Sequence, residues 1–155
     1  MNLRPTTRRL VTATIAAAAV ALPLSIAPMA HASTTSSGCT VTPLRPIYDH
    51  HNSAGVKVLN YRVTATCSSN RTVTIEQDRM EQDGWPNPDD LIGESTLSRT
   101  FAVSSTYTFN VLRTLPDTEI GQEEMYQKVR FRVTSNGVTS AWTANENSPV
   151  QSFTN

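Results

Sequence analysis

The stretch "VKVLNYRVTATC", residues 56–67, alternates apolar and polar side chains. A period of two belongs to a strand with one face in a core and the other in water. Its inward phase reads Leu59, Tyr61, Val63, Ala65 and Cys67, and its outward phase reads Asn60, Arg62, Thr64 and Thr66. The same period recurs in "CTVTP" at 39–43, in "RTVTIEQDRM" through Val73 and Ile75, and in "STLSRTFAV" around Leu97, Phe101 and Val103. It returns in "TYTFNVLRT" around Tyr107, Phe109 and Val111, with Ser104-Ser105 read as the tight turn before it, and again in Val129, Phe131 and Val133. Ser135-Asn136-Gly137 then supplies the positive φ angles of a hairpin turn, and Val138 to Trp142 returns. No helical period is present beyond one turn's worth near "EIGQEEMY". The pattern predicts an all-β chain, a single antiparallel β-sandwich of about seven strands, with Trp142 in its core.

The ends of the chain say where such a domain works. Arg4, Arg8 and Arg9 precede an apolar run from Leu10 to Ala27, and Ala30-His31-Ala32 follows as a small-x-small cleavage pattern. Residues 1–32 are therefore expected to be a bacterial signal peptide, residues 33–38 ("STTSSG") a flexible leader, and residues 39–155 the sandwich domain. Pro23 interrupts the apolar run, and no later stretch reaches the roughly 20 apolar residues of a membrane span, so no membrane insertion is expected. The predicted location is secreted or extracellular, and Arg8-Arg9 leaves open whether export follows the general or the twin-arginine route. Without the three leading arginines, ten basic residues face thirteen acidic ones, a formal charge of −3. That charge argues against nucleic acid as a partner, which would demand a basic patch.

Both cysteines, Cys39 and Cys67, lie in the exported part, and two exported cysteines pair in an oxidising compartment. One lies at the start of the first strand and the other at the inward end of the next, a geometry that suits a bridge. Pairing leaves no thiolate for catalysis.

Three clusters invite a chemical reading. "YDHHNSAG" at 48–55 holds Asp49, His50 and His51, candidate zinc ligands, in what reads as a solvated loop between the first two strands. Adjacent residues on a strand point to opposite faces, and the exported part has no other histidine to complete a zinc site. The long polar connection "EQDGWPNPDDLIGES" carries Asp83, Asp89 and Asp90, candidate oxygen ligands for calcium, but not at EF-hand spacing. In that connection Trp85, flanked by Asn87 and Asp89, suits stacking on a sugar or gripping a protein. No cofactor motif, nucleophile elbow or phosphate loop is present, so no cofactor, metal or catalytic residue is expected.

The closing "VRFRVTSNGVTSAW" resembles the last two strands of fibronectin type III and related immunoglobulin-like domains of secreted proteins: a basic-alternating strand, an Asn-Gly turn and a tryptophan. The chain departs from that family at Met125, which stands in phase with Val129 where the family carries a tyrosine, while Tyr126 is out of phase. The resemblance implies an immunoglobulin-like sandwich that binds, spaces or supports. The expected function is thus a small secreted, non-enzymatic binding module, with a cell-surface glycan or another secreted protein as its partner. Two alternatives stand beside it: a secreted hydrolase using His50 or His51 with loop carboxylates, and a secreted inhibitor or effector acting on another protein through the Trp85 loop.

Overall fold

The computed structural model describes residues 33–84, 86–116 and 121–154, and these are built from β-strands. In chain order they are β1 (Thr34–Ser36), β2 (Cys39–Pro43), β3 (Ile47–His51), β4 (Lys57–Cys67), β5 (Arg71–Glu81), β6 (Asp90–Phe101), β7 (Ser105–Thr114), β8 (Gln122–Ser135), β9 (Val138–Thr139), β10 (Glu146–Asn147) and β11 (Gln151–Thr154). All pairings are antiparallel.

Apart from β1, these strands collapse onto seven positions. β7 pairs with β4 along its whole length, so β2 and β3 share the other edge of β4 as one strand broken at 44–46. In the second sheet β6, β5 and β8 lie side by side, and β9, β10 and β11 follow one another along the far edge of β8 as a second broken strand. A three-strand sheet with β1 appended thus faces a four-strand sheet. The core between them joins Cys39, Val41, Val63, Ala65, Cys67 and Phe109 of the first to Val73, Ile75, Phe101, Val129, Phe131 and Val133 of the second. The expected all-β antiparallel sandwich is what the chain forms, with every predicted inward residue of β4 buried.

The disulfide joins Cys39 to Cys67, which face each other directly in the β2–β4 register with their Cα atoms 4.1 Å apart. At this end the interior is apolar. Toward the other end the inward phase of β5 runs from Val73 and Ile75 into Gln77, Arg79 and Glu81, and that of β8 runs into Gln127 and Glu123, all of them buried. Gln127 explains part of this polar interior. Its Nε2 donates to Leu44 O at 2.6 Å and Arg62 O at 2.8 Å, supplying a donor to the carbonyl stranded where β2 breaks from β3. Gln77 Nε2 in turn donates to Gln127 Oε1.

Six expectations need correction. The segment expected to be a flexible leader is β1, folded back on β2 through Ser37 and Gly38, both at positive φ (49° and 78°), the geometry of a two-residue hairpin turn. The segment 47–51, expected to be a loop, is edge strand β3, and only 52–56 turns. Asp90 to Ser95 belong to β6 rather than to the polar connection, and β8 already runs through 122–126, where one helical turn was expected. Residues 102–104 form no hairpin: β6 and β7 belong to different sheets. Trp142 is not core. It lies on the outer face of the four-strand sheet, with the Arg130 and Arg132 guanidiniums 5.2 and 4.7 Å from its ring. The return strand ends at Thr139, so the alternation that placed Trp142 inward no longer holds at 142.

Candidate functional site

The histidine strand is exposed along its length. A bulge between Tyr48 and His50 shifts the alternation, so Tyr48 and His51 come to one side, joined Oη to Nδ1 at 2.9 Å. His50 Nδ1 meets Asp49 Oδ2 at 2.7 Å. The two imidazoles therefore serve different partners. Among the described residues, no three His, Cys, Asp or Glu side chains converge in an arrangement that could hold a metal, neither here nor at Asp83, Asp89 and Asp90.

Asp89, just before β6, meets the outer face of the four-strand sheet. Tyr126, out of phase with the core as its sequence position implies, is buried on that face beside Met80, and its hydroxyl donates to Asp89 Oδ2. Burial, reinforced by that hydrogen bond, holds the Tyr126 phenol well above the usual tyrosine range. Asp89, a candidate ligand contact, is thus committed to packing the loop. The Asn87 N–H donates to Gly84 O at 3.0 Å and closes a turn. Trp85, the aromatic on which the sequence reading of this loop rests, lies outside the described residues.

A different surface brings functional groups together. Among the described residues β6 is hydrogen-bonded only to β5, and β7 only to β4, and these two edges border one groove at the open side of the sandwich. Between them runs a groove of about 540 Å³, lined by Glu94, Ser95, Thr96 and Leu97 of β6 and Asn110, Val111, Leu112 and Arg113 of β7. Leu97 and Val111 give it an apolar floor. At the β6 end Arg79, reaching from β5, donates to Ser95 Oγ at 2.7 Å and to Glu94 O at 3.2 Å. It lies against Gly93, where a Cβ would come within 2.4 Å of its Nη2. Burial first and the charge of Arg113 second hold the Arg79 guanidinium below its usual range, and Arg113 acts on it more strongly than Asp78 or Glu94. Farther along, Arg99 lays its guanidinium 3.7 Å from the centre of the Tyr107 ring.

None of these arginines was singled out from the sequence, yet each carries a signal there. Arg79 follows Val73, Ile75 and Gln77 in phase, Arg99 stands in phase between Leu97 and Phe101, and Arg113 in phase after Phe109 and Val111. A charge at a core-facing position of an alternating strand marks a place where the core is open or internally paired.

Fold and site together define a disulfide-bonded antiparallel β-sandwich with one open side. No protein-family model matches the chain, and no curated protein matches it.

Proposed function

We propose that the chain is a small exported, non-enzymatic binding module that acts at the cell surface or outside the cell and holds its partner along the open side of the sandwich. The observation that carries this reading is the pair of free edges. Among the described residues, β6 and β7 each leave one row of backbone N–H and C=O groups without a strand partner, and both strands line the same groove. Such rows are templates for another chain, and folded proteins commonly blunt them with bulges, prolines or charges. The resemblance of the closing hairpin to fibronectin type III domains belongs to the same reading, and the three-on-four strand order supports it.

The hydrolase alternative draws its support from the Asp49–His50 pair, in which a carboxylate orients an imidazole. Both side chains are exposed, 37% and 50% respectively, on an edge strand that is exposed along its length, so both groups stand in water.

The test compares retention of the purified, oxidised protein on intact cells and on cell-wall fragments of its producing strain. Wild-type protein is expected to be retained saturably, and a Thr96→Arg/Leu112→Lys variant, which places a charge on each free strand, is expected to be lost at unchanged thermal midpoint. Retention that follows Trp85→Ala instead moves the site to the 82–89 loop. Turnover of an ester or glycoside that His50→Ala abolishes replaces the binding reading with the hydrolase.

A further inference from the structure

The two imidazoles of β3 are each held at one nitrogen and presented at the other. Asp49 Oδ2 meets His50 Nδ1 at 2.7 Å. An ionised carboxylate only accepts, so Nδ1 carries the hydrogen and the neutral ring keeps its lone pair on Nε2. Tyr48 Oη, 2.9 Å from His51 Nδ1, accepts in the same way when that nitrogen carries the hydrogen. A ring whose Nδ1–H is given to an oxygen is the arrangement in which histidine ligates a metal through Nε2. Both residues are exposed, the His50 side chain by half (50%). One chain does not complete such a site. His50 stands opposite Val58, in phase with Asn60, and His51 opposite Lys57, in phase with the inward Leu59, so the two rings leave opposite faces of the sheet. Among the described residues no group of three metal-ligating side chains forms. The same edge carries exposed apolar bulk: Ile47 and Tyr48 on β3 and Val56 in the turn after it are 38, 46 and 41% exposed. Among the described residues β3 is hydrogen-bonded only to β4, which leaves its other edge to meet another surface.

We propose that this edge holds zinc between two copies of the chain, each ion taken by His50 of one copy and His51 of the other. A two-fold axis running along the shared edge turns the faces of the second copy over. His51 of that copy therefore comes to the face that His50 occupies, one strand step away, and the same pair recurs on the opposite face. Strands at a shared edge lie about 5 Å apart, a gap that one ion bridges by taking two Nε2 atoms at about 2 Å each. The dimer thus holds two ions, one per chain, with water in the remaining positions of each. Asp49 fixes the ring of each His50 from behind, as outer carboxylates do for zinc-bound imidazoles. Ile47, Tyr48 and Val56 are too small a surface to hold two copies by themselves, so pairing follows the metal. This goes beyond the binding-module reading and does not depend on it. β3 and β7 border opposite edges of β4, so a dimer joined at β3 leaves both open sides uncovered and gives the module two points of attachment.

The probe is zinc chloride alone, added to the secreted, oxidised protein after chelation, with mass read by sedimentation and bound metal by titration. The chelated protein is expected to be a monomer, to double in mass as it takes up one zinc per chain, and to return to monomer when chelator is added. His50→Ala and His51→Ala are each expected to stay monomeric with zinc. Mixed in equal amounts, the two variants are expected to dimerise with one ion per pair of chains, because a mixed dimer keeps one complete His50–His51 pair. Asp49→Ala is expected to weaken zinc uptake at least tenfold. The Thr96→Arg/Leu112→Lys variant, changed at the open side, is expected to dimerise as the wild type does. An unchanged mass with zinc, zinc bound by a monomer, a dimer that survives either single variant, or a mixture of the two that stays monomeric overturns the proposal. Loss of the dimer in Thr96→Arg/Leu112→Lys does so too, because it moves the contact to the open side. Cell retention that persists when zinc leaves the mass unchanged keeps the binding module and removes the metal site; a zinc dimer without retention does the reverse.

Discussion

Gln127 is a side chain on which the joint between the sheets depends, because one amide nitrogen serves Arg62 O of β4 and Leu44 O in the break between β2 and β3. Replacing it with leucine leaves Leu44 O without that donor, while Arg62 O keeps the Leu44 N–H, at a cost of roughly 1–3 kcal/mol. The thermal midpoint of Gln127→Leu is therefore expected to fall by roughly 10 °C. Gln127→Glu places a carboxylate against the same two carbonyls and is expected to lose more at pH 7 than at pH 4, where the acid regains a proton to donate; equal losses at the two pH values would show that the amide's hydrogen bonds matter little. The tyrosines make a second prediction. Tyr61 is raised by burial, with Glu81 adding to the effect, and Tyr126 by burial and then by Asp89. A phenol whose folded value lies above its unfolded value of 10 keeps its full stabilising contribution below that pH. Above it the unfolded chain ionises first, so stability drains as pH rises. Urea unfolding at pH 9, 10 and 11 should show this decline, and Tyr126→Phe should flatten part of it.

At the scale of elements, alternation reveals which face of a strand is buried but not which sheet the strand joins. That is why the phases of β4, β5, β7 and β8 were legible in the sequence, while the separation of β6 from β7 was not: Ser104-Ser105 reads as a turn whether the chain pairs back or crosses over. The leader was missed for another reason. Ser37-Gly38 is a good hairpin turn, but its first strand is three small polar residues with no apolar phase to announce them. The candidate site was less legible still, since Arg79, Arg99 and Arg113 come from three strands and come to one open side only when two sheets stack. The β1–β2 turn is open to test beside a second glycine. Gly38 and Gly55 share a φ of 78°, but a Cβ at Gly38 would lie 2.6 Å from Ser68 Oγ, whereas Gly55 faces open space. Gly55→Ala should cost only the left-handed strain of about 1 kcal/mol. Gly38→Ala should cost more and should also speed hydrogen exchange of the β1 and β2 amides. Equal costs would mean that Ser68 yields freely and that the turn tolerates the side chain.

The whole molecule draws on the disulfide in a way that its place in the fold makes specific. Cys39 and Cys67 already face each other across paired strands, so the bond adds little to the folded arrangement, and its effect falls on the unfolded chain. A sequence separation of 28 residues corresponds to roughly 3–4 kcal/mol of loop-closure entropy withheld from that state. A domain with typical stability of about 5–15 kcal/mol survives such a loss, but with a narrow margin at the lower end. The Cys39→Ala/Cys67→Ala protein is therefore expected to keep the amide spectrum of the sandwich at 25 °C. Its urea midpoint should fall, and its unfolding slope should steepen, because an uncrosslinked unfolded chain exposes more surface. A fall in midpoint with an unchanged slope would place the loss in the folded packing around β2, where two vacated sulfur sites open the apolar end of the core. Reducing the wild-type protein separates the two accounts, since it breaks the crosslink and leaves both sulfur atoms in place.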